Sequence, residues 1–279
     1  MPGWRARENP LDSGVMRTAL DTHVHLHPFY DLARAMDGAR AALASAAGPG
    51  GAAGLCLTEA AGCDAFGALR DGRWVVPGWT VAAAGDGLAL QLRPAAGGEG
   101  LWVLAGRQIV TRERIEVLAL GLGGEVPDGL EAAEAIGHVR AAGALPLLPW
   151  APGKWFGGRG RLVAALMDRF GPSAVALADT ALRPIGWPTP VLIRRGLREG
   201  FRVLAGSDPL PLPGEERRIG RYATVADGLP DPGSPARSVL HLLGPGGPPL
   251  RTAGQRPCPV ATLLRLVRHA RAKGPRAGG

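Results

Sequence analysis

Apolar and polar positions along this chain follow two rhythms, and they alternate. Arg17 to Leu20 leads into Asp21-Thr22-His23-Val24-His25-Leu26-His27-Pro28, where every second position is polar. That pattern predicts a strand, and a strand turns Asp21, His23, His25 and His27 to one face. From Asp31 to Ala47 the spacing changes: Leu32, Ala35, Met36, Ala39 and Leu43 recur at helical intervals, and Gly48-Pro49-Gly50-Gly51 ends the run. Gly54 to Thr58 is a short apolar run that reads as a buried strand, with Glu59 at its end. Strand, helix, strand in that order predicts a parallel βαβ unit.

The middle of the chain breaks this rhythm. Trp74–Val76, Thr80–Ala84, Leu88–Leu92 and Leu101–Gly106 read as short strands, and Gly85-Asp86-Gly87 makes a hairpin turn. They predict an antiparallel insertion that leads to Gly106-Arg107-Gln108-Ile109-Val110. Alternation of strand and helix then resumes. Strands are expected at 115–120, 144–149, 174–178 and 201–205, and helices at 130–142, 161–170 and from Thr189-Pro190 to Gly200. From Gly228 to Pro257 Gly, Pro and Arg dominate, which predicts little regular structure. A last helix is expected over 259–273, with Val260, Leu263, Leu264 and Val267 as the stripe that packs against the body.

Composition narrows the class. A chain of 279 residues, 46% hydrophobic and 20% charged, can bury a sizeable core, which excludes global disorder. The net charge of +8 arises from Arg in a chain also rich in Gly, Pro and Ala. With no basic helix beside an aromatic stacking platform, nucleic acid is not the expected partner, although anionic small molecules would be attracted. Cys56, Cys63 and Cys258 make neither a disulfide framework nor a structural zinc site. Residues 1–12 lack the apolar core of a signal peptide, and no run of about 18 apolar residues occurs, so a cytoplasmic protein is expected.

The chemistry gathers after the strands. His23 and His25, two residues apart on one strand face, can reach one cation, and neutral imidazole suits zinc, manganese or iron. Glu59, Gln108, Asp179 and Asp208 also follow expected strands. The segment from Trp150 to Arg161 joins a strand to a helix, and its glycines would let Lys154 and Arg159 meet an anion there.

Asp21-Thr22-His23-Val24-His25 resembles the opening motif of two groups of metal-dependent hydrolases, the amidohydrolase-like barrels and the polymerase and histidinol phosphatase (PHP) family. The amidohydrolase reading expects further His ligands on later strands, which His138, His241 and His269 do not supply. The PHP resemblance extends over roughly residues 18–222. Leu57-Thr58-Glu59-Ala60 resembles its Thr-Asp-His motif, Gly106-Arg107-Gln108 its Gly-x-Glu, the Trp150 position its His-Pro, and Gly206-Ser207-Asp208-Pro209 its Gly-Ser-Asp-x-His. Ala60, Gln108 and Trp150 stand where that family carries metal ligands.

The resemblance implies a distorted, TIM-like, PHP-type β/α barrel over residues 1–225, with an inserted antiparallel hairpin region. A Pro/Gly/Arg-rich extension with a terminal helix would occupy 226–279. It also implies a metal-dependent hydrolase of a small anionic ester, a phosphoester in chemical class, with a reduced site. His23, His25 and Asp208 would hold one divalent ion or none. Glu59 or Asp179 would handle protons, and Lys154 and Arg159 would hold the substrate. The alternative is a non-catalytic PHP-like barrel serving as a binding or interaction module.

Overall fold

A computed structural model describes residues 14–272, so the N-terminal stretch over 1–12 and the last residue of the expected terminal helix lie outside the described residues. The first βαβ unit is as the pattern predicts. β1 (Arg17–Val24) and β2 (Ala52–Leu57) are parallel, and α1 (Leu32–Ala47) joins them. Asp31 caps α1 by accepting the Arg34 N–H, and Met36, Ala39 and Leu43 are its fully buried stripe. Each large side chain on such a stripe contributes about 1.5–3 kcal/mol. After α2 (Ala65–Arg70), the strands β3 (Trp79–Ala84), β4 (Ala89–Pro94) and β5 (Leu101–Leu104) form the expected antiparallel excursion. Trp74–Val76 is not a strand; it belongs to the turn-rich link before β3.

β6 (Gly106–Val110) and β7 (Glu116–Leu120) run antiparallel, and α3 (Ala132–Ala141) follows. β8 (Leu145–Pro149), α4 (Gly157–Phe170), β9 (Ala176–Thr180), α5 (Val191–Arg198) and β10 (Val203–Gly206) continue the alternation, with β8, β9 and β10 parallel. A 3-10 turn (Glu215–Arg218) precedes β11 (Tyr222–Asp227), α6 (Pro235–Leu243), β12 (Leu250–Gly254) and α7 (Pro259–Ala272).

The expected barrel does not form. The strands make two mixed sheets, one of seven in the order β12-β11-β1-β2-β5-β4-β3 and one of five in the order β10-β9-β8-β7-β6. Closure fails at β1, whose second neighbour is β11 rather than β10. The facing edge of β10 is satisfied by hydroxyls: Thr22 Oγ1 donates to the Ala205 carbonyl at 3.1 Å, and the Ala205 N–H donates to Thr224 Oγ1 at 2.7 Å. A strand edge answered by side chains needs no ladder partner.

Two seams still join the sheets, each at a glycine. At the first, the Asp208 N–H donates to the His23 carbonyl at 2.9 Å. A Cβ on Gly206 would sit 2.5 Å from the His23 backbone nitrogen, so no larger residue allows this approach. At the second, the Glu59 N–H donates to the Gly106 carbonyl at 3.2 Å and the Gln108 N–H to the Glu59 carbonyl at 2.8 Å. A Cβ on Gly106 would meet the Leu57 carbonyl at 2.2 Å.

The boundary expected between 225 and 226 falls inside β11, and the chain beyond it has regular structure. α6 sends Ala236, Val239 and Leu243 into the apolar core between the sheets, beside Leu20, Leu104, Leu118, Leu147 and Leu204. Both sheets hold it. Asp86, in the β3–β4 turn, accepts from the Ala236 and Arg237 N–H groups, and Arg202, just before β10, donates to the Leu242 and Leu243 carbonyls. α7 also departs from expectation: Val260, Leu263 and Leu264 are more than half exposed, whereas Thr262 and Arg265 are buried. The Arg265 guanidinium, paired with Glu215, sets which face turns inward.

Candidate metal centre

The first seam carries the site. His23 Nε2 and His25 Nε2 lie 3.1 Å apart, and Asp208 Oδ1 lies 3.6 Å from the first and 3.8 Å from the second. Among the described residues these three form the group whose ligand atoms could share one ion. Ligands at about 2.0–2.1 Å around a tetrahedral ion stand roughly 3.4 Å apart, close to the spacing found. Donor chemistry agrees with geometry. Burial, reinforced by the charge of His23, lowers His25 to about 3, which keeps its imidazole neutral and able to donate a lone pair. Burial alone would raise the Asp208 carboxyl, but His23, His25, Lys154 and Arg265 hold it below its ordinary value, so it is anionic. Two imidazoles and one carboxylate are a donor set that suits a divalent ion.

Asp208 comes from a part of the sequence distant from the two histidines, and Asp21 ties the two segments together. Its Oδ1 accepts the Ser207 N–H at 2.8 Å and the His23 N–H at 3.3 Å, and its Oδ2 accepts the Gly220 N–H at 2.8 Å. Asp21 is fully buried, and its carboxylate holds backbone rather than joining the ligand group. Strand alternation put it on the ligand face; the pairing of β1 with β2 shifts register between Asp21 and Val24. Asp208 takes a left-handed backbone (φ 47°), which aims its side chain back at the imidazoles. His27 is outside the group, its ring stacked on Phe29 at 5.3 Å between centroids.

The other sequence-derived residues lie around this group in different states. Glu59 is at the second seam, one residue past the Thr58 N–H that donates to the Val24 carbonyl. Its carboxylate accepts the Phe66 N–H at 2.8 Å and pairs with Arg107 at 3.2 Å; burial, only partly offset by those partners, raises its pKa. Glu59, Arg107 and Gln108 share a small cavity of about 150 Å³. Asp179 is buried with both oxygens engaged, by the Arg183 guanidinium and by the Tyr222 hydroxyl at 2.7 Å. Lys154 pairs with Glu116, yet its charge still acts on His25 and Asp208. Arg159 is in the first turn of α4, because the helix begins at Gly157 rather than Arg161, and it donates to the Gly153 carbonyl at 2.8 Å. Trp150 is buried and lines a cavity of about 610 Å³ with Trp155, Phe156 and Trp187.

Sequence reasoning missed the supports behind Asp208. Arg265 donates to its carbonyl at 3.4 Å, and Tyr30 donates to the Leu210 carbonyl at 2.5 Å. Arg265 shows no local signal, since it reads as one more charge on a basic helix. Asp21 had one, a carboxylate in the same alternating run as the histidines, but not its role.

Among the described residues, no helix is long and apolar enough to cross a membrane. No protein-family profile matches the sequence. No curated protein matches it either. Solved structures do share the fold. PsfC from Pseudomonas syringae PB-5123 superposes with a TM-score of 0.57 at 16% identity, covering 92% of this chain and 99% of that one. The lesion-specific endonuclease PfuEndoQ from Pyrococcus furiosus gives a TM-score of 0.50 at 13% identity, over 86% of this chain and 59% of that one. A two-domain protein from Bacteroides vulgatus ATCC 8482, containing a predicted PHP-like metal-dependent phosphoesterase, gives only 0.45 at 14% identity, over 91% and 70%, which does not establish a shared fold. Sharing a fold with an endonuclease gives no support to the expectation that nucleic acid is not a partner. At these identities the likeness concerns the fold.

Proposed function

We propose that this protein is a metal-dependent hydrolase of a small anionic ester, of the phosphoester class, built on a PHP-type site reduced to one divalent ion. The observation that carries the reading is the His23–His25–Asp208 group, brought together from positions about 185 residues apart with ligand-like spacing. A divalent ion held there would supply Lewis acidity to the ester.

The chain's own residues supply the rest. Asp21 holds His23 and the Ser207 backbone in place before substrate arrives, so the ligands need no reorganisation. Lys154 brings a positive charge to the same side and orients an anionic group. Arg159 extends that positive rim at the start of α4. Of the two acid–base candidates, Glu59 has its pKa raised by burial, the direction that favours holding a proton, and it is the one we assign to moving the proton. Asp179, with both oxygens engaged, fixes Arg183 and Tyr222.

The test is elemental analysis of protein purified without chelator or affinity-tag metal, joined to hydrolysis of an aryl phosphate ester. About one ion per chain is expected, lost together with turnover in Asp208→Ala. Lys154→Ala should lower turnover strongly while costing at most about 1 kcal/mol of stability, because its ion pair is partly exposed. Protein with no ion and no turnover, unchanged in behaviour by Asp208→Ala, overturns the enzyme in favour of the binding module.

A further inference from the structure

A wide groove of about 1020 Å³ runs between α1, the 3-10 turn, the β11–β12 edge and α7. Among the described residues six arginines line it: Arg217, Arg218, Arg221, Arg256, Arg265 and Arg268. One carboxylate among the described residues faces them, Glu215, and it is already held by Arg265 at 2.6 Å and Arg218 at 3.5 Å. None of these residues belongs to the His23–His25–Asp208 group.

Two donors in this groove are buried and meet no acceptor among the described residues. They are Nη1 of Arg265, a residue only 3% exposed, and Nη1 of Arg256. A buried guanidinium N–H left unmatched is costly, and an acceptor from outside the chain, ligand or water, would satisfy it. The crowding agrees: burial, and then the charge of Arg265 beside it, push the Arg218 guanidinium below its ordinary pKa.

We propose that this groove binds a small ligand carrying at least two phosphoryl groups. Guanidinium forks match phosphate oxygens in pairs, and six of them against one engaged carboxylate call for more than a single charge. The volume lies at the upper end of small-molecule sites. Among the described residues no aromatic side chain lines the groove, so they offer no platform on which the bases of a single strand could stack. Ala42 and Ala46 of α1 form part of the opposite wall and leave space above the arginines.

Titration calorimetry on the full chain in excess EDTA tests this without the metal centre. The probes are inorganic phosphate, pyrophosphate and tripolyphosphate. Pyrophosphate and tripolyphosphate should bind at least about tenfold more tightly than phosphate. The double variant Arg256→Gln/Arg268→Gln should lose about tenfold or more of that affinity with its melting temperature unchanged, and His23→Ala should keep it. If the double variant does not fold, Arg217→Gln, at an exposed position, takes its place. Binding that survives loss of the arginines, or that disappears in His23→Ala alone, overturns the site. A single-stranded oligonucleotide that binds more tightly than tripolyphosphate through the same arginines overturns the small-ligand assignment in favour of nucleic acid.

Discussion

Replacing Arg265 with Met should be the most costly single change in the C-terminal helix. α7 buries little apolar surface: Val260, Leu263 and Leu264 are 67%, 61% and 58% exposed. What fixes it is a bidentate pair, Arg265 Nε and Nη2 on Glu215 at 2.9 and 2.6 Å, with side chains only 4% and 7% exposed. Removing one partner of a buried pair costs about 3–5 kcal/mol, because the other charge remains buried. Here the loss should fall near the lower figure, about 3 kcal/mol, since Arg218 at 3.5 Å and the Leu210 N–H still contact Glu215. Urea unfolding at neutral pH measures it, and limited proteolysis should show α7 newly cleavable. Adding Glu215→Gln removes the stranded charge and keeps an acceptor for Leu210. The double variant should therefore recover at least about 1 kcal/mol over Arg265→Met alone. A single-variant loss below about 1 kcal/mol, or a double variant that is simply additive, refutes the account of how α7 is held.

Two further outcomes follow from other contacts. Asp86→Ala should cost about 1 kcal/mol in thermal unfolding, because Asp86 Oδ2 accepts two N–H groups at the start of α6; an unchanged melting temperature means that α6 does not depend on it. Glu59 gives a pH dependence. Its folded pKa is raised above the ordinary 4.5, so the stability it contributes is fully present below that value and is lost as pH rises through the raised one. Wild-type protein should lose ground to Glu59→Gln across that window, and denaturant midpoints that move the opposite way contradict the burial argument.

Local order in the fold was legible where one period governed a segment. α1, β2, the β3–β4 hairpin and the β8–α4–β9 alternation follow from spacing and from stop residues such as Gly48 and Gly171. Closure was not legible. Whether β10 pairs with β1 depends on Thr22 and Thr224, whose hydroxyls answer the Ala205 backbone, and no local pattern distinguishes them from other strand threonines. α6 was hidden by composition. Its apolar positions lie in a Gly- and Pro-rich region, and its end bonds come from Asp86 and Arg202, 150 and about 40 residues away. The stripe of α7 was misread because a hydrophobic period says which residues share a face, not which face turns inward.

The site divides along the two seams, and that division bears on how many ions it holds. His23, His25 and Asp208, the positions that keep ligands, surround the first seam, where Asp21 and Gly206 fix the backbone. Ala60 and Gln108, which stand where the PHP motifs carry ligands, flank the second, where Arg107 pairs with Glu59 at 3.2 Å and donates to the Cys63 carbonyl at 2.6 Å. A guanidinium there already provides the positive charge that a further cation would bring. An ion there would have to compete with Arg107 for Glu59, and would gain only a neutral amide from Gln108. At the second seam a guanidinium thus stands beside the buried carboxylate, while the first seam has its donor group and the carboxylate that positions the backbone. The one-ion proposal rests on this difference: His23, His25 and Asp208 stand at ligand spacing at the first seam, and Asp208 takes a left-handed backbone there.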